Sequence, residues 1–380
     1  MAFDLARPAE TTVAFSRSEA AGAIGDSVTV LPLVVAVGAL TELSLAVALG
    51  WFGLCQIVWG LYYGVPISVE PMKALTALLL AGTVTTDEFL LAGLVVGLVL
   101  LVVGATGTLG RIGDYVGTPV VRGVQFGVAL LLLETGLHIG LGDPRLAGLG
   151  VVAAGGLAAL GRGKLTALAV LVVGGLVAVL SPGGVVPVDL GGLSAPSLDT
   201  PGTPALPSFT LPTTGLSVAA AEAVLAQVAM TVGNAALAAS ILLADYFDRE
   251  ISADDLSISM GQMNLTAVPF GALPMCHGSG GIAGKYAFGA RTAGANVLLG
   301  LGYLAVAVWA AGLVAAYPVS MLGVVLALVA LQLARTSLRE TDAVPLVLGV
   351  GLLGLLANLG VAFVVGTVVH LAWRTWQARA

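Results

Sequence analysis

The chain has 380 residues, 58% hydrophobic and 9% charged, with a mean hydropathy of +1.03. Soluble domains carry about 25% charged residues, so a water-soluble globular domain is excluded. The net charge of −6 comes without the basic cluster and interleaved aromatics that nucleic-acid binding needs.

In chain order, residues 1–17 form a polar tail placed in the cytoplasm. The tail lacks the short apolar core and small-residue cleavage site of a signal peptide, so the first apolar run is expected as a retained span. A spanning helix needs about 20 mostly apolar residues. On that criterion the first half reads as spans at 18–40 and 44–62, a half-span at 66–82, and spans at 88–105, 116–138, 146–160 and 165–181. The stretch 182–215 is rich in Pro and Gly, excludes a long helix and is read as an extracellular loop. The second half, 216–376, gives spans at 216–243 and 252–269, a half-span at 271–288, and spans at 291–313, 317–335, 342–357 and 359–376, with 377–380 returning to the cytoplasm.

With the N-terminus inside, thirteen of the fifteen Lys and Arg residues fall on inner segments, Arg122 and Lys285 among them. Arg145 falls outside and Lys73 within the membrane. This asymmetry fits the positive-inside rule for a multi-pass protein of the cell (plasma) membrane with both termini cytoplasmic. Seven segments in each half force the second half (216–376) to lie upside down relative to the first (18–181), an all-α integral membrane fold of fourteen transmembrane segments in a 7+7 inverted repeat.

The third segment of each half is broken. PISVEPMKALTALLLAG (66–82) and GALPMCHGSGGIAGKYAFGAR (271–291) each hold a Pro-Met pair, Pro71-Met72 and Pro274-Met275, followed by polar residues and a helix-compatible run. Matched interruptions in two halves point to a transporter binding site. The competing reading is a Pro-kinked, Gly-rich packing seam without a ligand.

Those two stretches, with GAIGDSVTVLPLVVAV (22–37) and QVAMTVGNAALA (227–238), resemble the molybdate transporter family, a relative of the SulP sulfate permeases. The resemblance runs from about residue 16 to the end. It implies core and gate domains and two half-helices, segments 3 and 10, each preceded by a short strand, with the substrate held between their N-termini. It also implies a homodimer. SulP carriers usually end in a cytoplasmic regulatory domain; the sequence ending at Ala380 favours the molybdate branch. Glu70 departs from the pattern, standing where a Gln is expected before Pro-Met-Lys.

An oxyanion such as molybdate or sulfate offers two negative charges and four acceptor oxygens, and facing helix N-termini offer N–H donors and positive dipole ends. The donors expected from the first break are Met72, Lys73 and Ala74, and from the second Cys276, His277, Gly278 and Ser279. Lys73 either binds the anion or pairs with Glu70. Gln227, Thr231 and Asn234, spaced i, i+4 and i+7, share a helix face that either lines the site or bonds a neighbouring helix. Glu70, Asp26 and His277 are the candidates for proton coupling. Neither a catalytic centre nor a metal site is expected: Cys55 and Cys276 are too few for a zinc site or disulfide framework, and no group orients Cys276 and His277 as nucleophile and base. The sequence holds no GxxxxGK[ST] run, and no cofactor is expected. The partners expected are the oxyanion and membrane lipid, with no nucleic acid. A sulfate carrier and an anion channel on the same fold remain open alternatives.

Overall fold

The structure, a computed structural model, describes residues 13–180, 209, 212, 215–309 and 317–377. The start of the expected tail, most of the expected loop 182–215, and residues 378–380 lie outside the described residues. What is described is almost wholly helical.

The first half begins with α1 (Arg17–Leu40), capped by the Ser16 hydroxyl accepting from Glu19 N–H at 3.2 Å, and α2 (Leu45–Tyr63), which ends at Gly64 in the left-handed region at φ 70°. A two-residue strand β1 (Glu70–Pro71) leads into the short helix α3 (Lys73–Leu80). Helix α4 (Thr86–Ala105) opens with a reciprocal cap: Thr85 Oγ1 accepts from Glu88 N–H and Glu88 Oε2 accepts from Thr85 N–H. Then follow α5 (Leu109–Val116), α6 (Thr118–Gly140), α7 (Pro144–Ala159) and α8 (Thr166–Leu180). The expected span at 116–138 is therefore divided from a separate short helix, α5, at Gly117, which adopts φ 75°.

The second half repeats the plan. Helix α9 (Val218–Met230) runs through a π-helical stretch (Thr231–Ala238) into α10 (Ala239–Phe247). Helix α11 (Ala253–Ala267), strand β2 (Met275–Cys276) and the short helix α12 (Ser279–Ala287) come next. Helices α13 (Gly294–Trp309), α14 (Val319–Arg339), α15 (Val344–Leu356) and α16 (Leu359–Gln377) complete the chain. Among the described residues, eight helical units are long and apolar enough to cross a membrane; α7, α13 and α15 are shorter apolar helices.

The packing is paired. Helix α2 lies on α13 and α4 on α11, and α6 lies on α14. Glycines sit at each crossing: a Cβ on Gly53, Gly261 or Gly136 would stand 2.7–2.8 Å from the carbonyl oxygen of Gly300, Gly97 or Gly323 respectively. In lipid, where apolar surface gains nothing by leaving water, such close backbone approach is a main source of helix association. The helices form two groups. One contains α1–α4 and α9–α13; the other contains α6–α8 and α14–α16. Glu19 ties the first group at its edge, its carboxylate accepting from the N–H groups of Arg291, Thr292 and Ala295 near the start of α13.

Candidate functional site

Proline dictates the local shape at both breaks. It fixes its own φ, and the residue before it is pushed into extended geometry. The segments around Pro71 and Pro274 therefore run extended and pair antiparallel, Glu70 opposite Cys276 and Pro71 opposite Met275. Met72 N–H donates to the Pro274 carbonyl at 2.9 Å. Asn264 on α11 clamps Met275 from both sides, accepting its N–H at 2.8 Å and donating to its carbonyl at 2.6 Å.

The crossing presents the N-termini of α3 and α12 side by side, and neither helix carries a side-chain cap of its own. Each is capped from elsewhere. Gln227 Oε1 accepts from Ala74 N–H at 3.0 Å and Leu75 N–H at 3.3 Å, while its amide donates to Thr231 Oγ1 at 2.9 Å. Glu70 Oε1 accepts from Gly281 N–H at 2.7 Å, and the other carboxylate oxygen pairs with the Lys73 ammonium. The Glu70 carboxylate packs so closely on the start of α12 that a Cβ on Gly278 or Gly281 would collide with it. Glycine is required there by close approach.

Behind the crossing lies a fully buried polar network. Lys285 Nζ is 3.0 Å from Asp26 Oδ2 and donates to Gln56 Oε1 and Asn296 Oδ1, both at 2.9 Å, and to the Ile67 carbonyl. Asp26 also accepts from Gln56 Nε2 at 2.8 Å and Ser68 Oγ at 2.6 Å. His277 is held through Nδ1 to the Ser68 carbonyl at 2.9 Å and through Nε2 to Ser259 Oγ at 2.8 Å. A charge in an apolar interior persists only when paired and hydrogen-bonded, and this network meets that condition while pinning the extended segment 67–69. Lys285, expected at an inner membrane edge, is instead 0% exposed, because its aliphatic stem carries the ammonium back into the network.

In front of the crossing, between the two helix groups, is a cavity of about 430 Å³. Lys73, Ser279, Gly280, Asn234 and Thr29 line it from the first group, and Arg122, Gln125, Gln332, Thr336 and Glu340 from the second. Ser279 Oγ donates to Asn234 Oδ1 at 2.6 Å. Arg122 pairs with Glu340 and donates to Gln125 Oε1 at 2.7 Å.

The candidate residues thus divide. Lys73, Ser279 and Asn234 stand on the cavity wall. The N–H groups of Met72 and Ala74 are spent on Pro274 and Gln227, Cys276 is in the strand pair, and Gly278 backs onto Glu70. Gln227 and Thr231 serve the start of α3, and Asp26 and His277 belong to the network behind. Among the cavity residues that sequence reasoning does not single out, with Thr29, Gln332, Thr336 and Glu340, are Arg122 and Gln125. The positive-inside count places Arg122 on an inner segment, and in the structure it is buried within α6. Its signal is an arginine and a glutamine three apart near the start of a mostly apolar helix.

Many apolar helices, two proline-broken segments crossing in the interior and a cavity between two helix groups with charged and polar side chains on its wall define a multi-pass membrane transporter. A family model described as "Molybdate transporter of MFS superfamily" matches residues 18–132 and 219–333, two segments of equal length. The chain belongs to this family. It is 29% identical to Molybdate transporter 2 of Arabidopsis thaliana, over 93% of this chain and 86% of that protein. It is 26% identical to Molybdate transporter 1 of Chlamydomonas reinhardtii, over 95% of this chain and 92% of that one. Among solved structures, the transmembrane domain of a cyanobacterium bicarbonate transporter, BicA, superposes with a TM-score of 0.66 at 18% identity, covering 92% of this chain and 97% of that one. Murine Solute Carrier 26 family member A9, an anion transporter in the inward-facing state, gives 0.66 at 13% identity, covering 95% and 68%. At these identities the likeness shows the fold. The relatives are membrane transporters and not enzymes.

Proposed function

We propose that the chain is a secondary carrier of a tetrahedral oxyanion, molybdate first, working as a 7+7 inverted repeat in the cell membrane with both termini cytoplasmic. The observation that carries this reading is the cavity wall itself. The start of α12, the Lys73 ammonium and the Asn234 amide meet there at the seam between two helix groups. Gly281 N–H is taken by Glu70, but Ser279 and Gly280 precede it and line the cavity. Their first-turn N–H groups, with the positive end of the helix dipole, suit an oxyanion. The pairing of α2 with α13 and of α11 with α4 supports the inverted repeat, since α2 and α11 are the second segments of their halves and α4 and α13 the fourth, so that exchanging the halves turns one pair into the other. The group containing α1–α4 and α9–α13 is the core, and the group containing α6–α8 and α14–α16 is the gate. The relatives named molybdate transporters support the substrate; sulfate shares its charge and shape and is the competitor.

Glu70 is the coupling group in this reading. Its carboxylate holds both Lys73 and Gly281 N–H, groups an incoming anion would use. Protonation frees both, so acid on the entry side favours binding. Asp26 and His277 sit in the network behind and act through position.

The test is uptake of molybdate by proteoliposomes, with sulfate as competitor and an imposed pH gradient. The account expects saturable, counterflow-stimulated uptake that an acid entry side accelerates, and loss of that response in Glu70→Gln. Uptake indifferent to the gradient removes the coupling role. Large voltage-driven currents without saturation replace the carrier with a channel.

A further inference from the structure

Arg122 is the side chain that the cavity's chemistry leaves least explained. It enters from α6, in the second helix group, with its side chain only 9% exposed. Nη1 donates to Gln125 Oε1 at 2.7 Å, and Nη2 pairs with Glu340. Its Nε is buried and has no acceptor among the described residues. A buried guanidinium donor without a partner is costly, and it lies on the wall of a cavity whose opposite side carries Lys73, Ser279 and Gly280.

The two cations of the cavity are each matched by a carboxylate, and the two carboxylates differ in freedom. Glu70 is fully buried, three residues before Lys73, and anchored by Gly281 N–H. Glu340 follows the last residue of α14, and its side chain is 53% exposed. Glu340 can therefore turn into water at little cost, whereas Glu70 cannot leave. A planar guanidinium fork is also the side-chain group best matched to two oxygens of an oxyanion.

We propose that Arg122 is a substrate-binding residue supplied by the second helix group, and that Glu340 is a resident counter-anion which the substrate displaces. This rests on the oxyanion-carrier reading above. The anion is then held from both sides of the seam, by the start of α12 and Lys73 on one and Arg122 on the other. With Glu340 turned out and Glu70 protonated, two positive charges face the two negative charges of the substrate. Binding also ties the two groups together through one small ligand, which is what a carrier needs if it is to change access only when loaded.

The experiment is calorimetric titration of the detergent-solubilised full chain with molybdate, comparing wild type with Glu340→Gln, Arg122→Lys and Arg122→Gln. Thermal unfolding without ligand serves as the folding check. Removing a competing, half-exposed counter-anion tightens binding in Glu340→Gln by about two- to five-fold. Loss of a charged hydrogen-bond donor weakens Arg122→Gln by about ten- to a hundred-fold, and Arg122→Lys falls between. If the pair is only a brace between α6 and α14, Glu340→Gln leaves affinity unchanged or lowers it, and the proposal is overturned. It is equally overturned by a folded Arg122→Gln that binds as wild type does. Should Arg122→Gln fail to fold, the Glu340→Gln result decides alone. A folded wild type that binds neither molybdate nor sulfate fails a different claim, the carrier reading itself, and takes this one with it.

Discussion

Replacing Lys285 with Met removes a fully buried ammonium while keeping most of its volume, so the change is chiefly electrostatic. The Nζ atom bonds Asp26, Gln56, Asn296 and the Ile67 carbonyl. Without it, the Asp26 carboxylate stays 0% exposed and keeps only the neutral donors Gln56 at 2.8 Å and Ser68 at 2.6 Å. Breaking a buried pair by removing one partner costs about 3–5 kcal/mol. Two neutral donors remain on Asp26, and Gln56 and Asn296 keep bonds to each other, which places the loss near the lower end, about 3 kcal/mol. Adding Asp26→Asn removes the stranded charge and should recover at least about 1 kcal/mol, since a hydrogen-bonded neutral group is far cheaper to bury than a charge. The assay is thermal unfolding of the detergent-solubilised protein followed by tryptophan fluorescence, on wild type, single and double variants. Lys285→Met that unfolds with wild type, or a double variant less stable than Lys285→Met, would refute the claim that this pair pins the extended segment.

Other outcomes follow from the same geometry. Ser279 is the first residue of α12, after an extended Gly278 (φ −101°, ψ 120°), and proline is well tolerated at a first helical position. Ser279→Pro should therefore fold yet bind molybdate about ten-fold more weakly, for loss of an N–H donor to a charged ligand, while Ser279→Ala, which loses only the hydroxyl bond to Asn234, should be affected less; calorimetry reads both. Gln227→Leu leaves the Ala74 and Leu75 N–H groups without their acceptor and should lower unfolding stability by about 1–3 kcal/mol. Gly136→Val forces a side chain into the Gly323 carbonyl, and overpacking of about 1–3 kcal/mol or more should appear as a lower Tm.

The sequence showed the two breaks because proline acts locally: wherever Pro71 and Pro274 sit, the helix must stop and the backbone must extend. It showed the eight long apolar helices among the described residues because lipid imposes their length and composition. It did not show what caps the half-helices, since Gln227 reaches the start of α3 from across the fold and Glu70 reaches α12 across the strand pair. The i, i+4, i+7 spacing of Gln227, Thr231 and Asn234 assumes an α-helix, but a π-helical stretch covers Thr231–Ala238 and sends Asn234 to the cavity while Gln227 and Thr231 turn to α3. Counting Lys and Arg by membrane side does not show that Lys285 and Arg122 are buried, because a tally of charge per loop cannot see a partner such as Asp26 or Gln125. The short helix α5 was hidden by Gly107, Gly110, Gly113 and Gly117, which read as loop.

Molybdenum reports its own position through anomalous scattering. Crystals of the protein grown with molybdate, measured at the molybdenum absorption edge, would place the anion without reference to any residue assignment. The account predicts a single peak in the cavity, within hydrogen-bonding distance of Ser279 and Gly280 N–H and beside Lys73. A peak elsewhere in the fold, or an occupied cavity with the anion away from the start of α12, would contradict it.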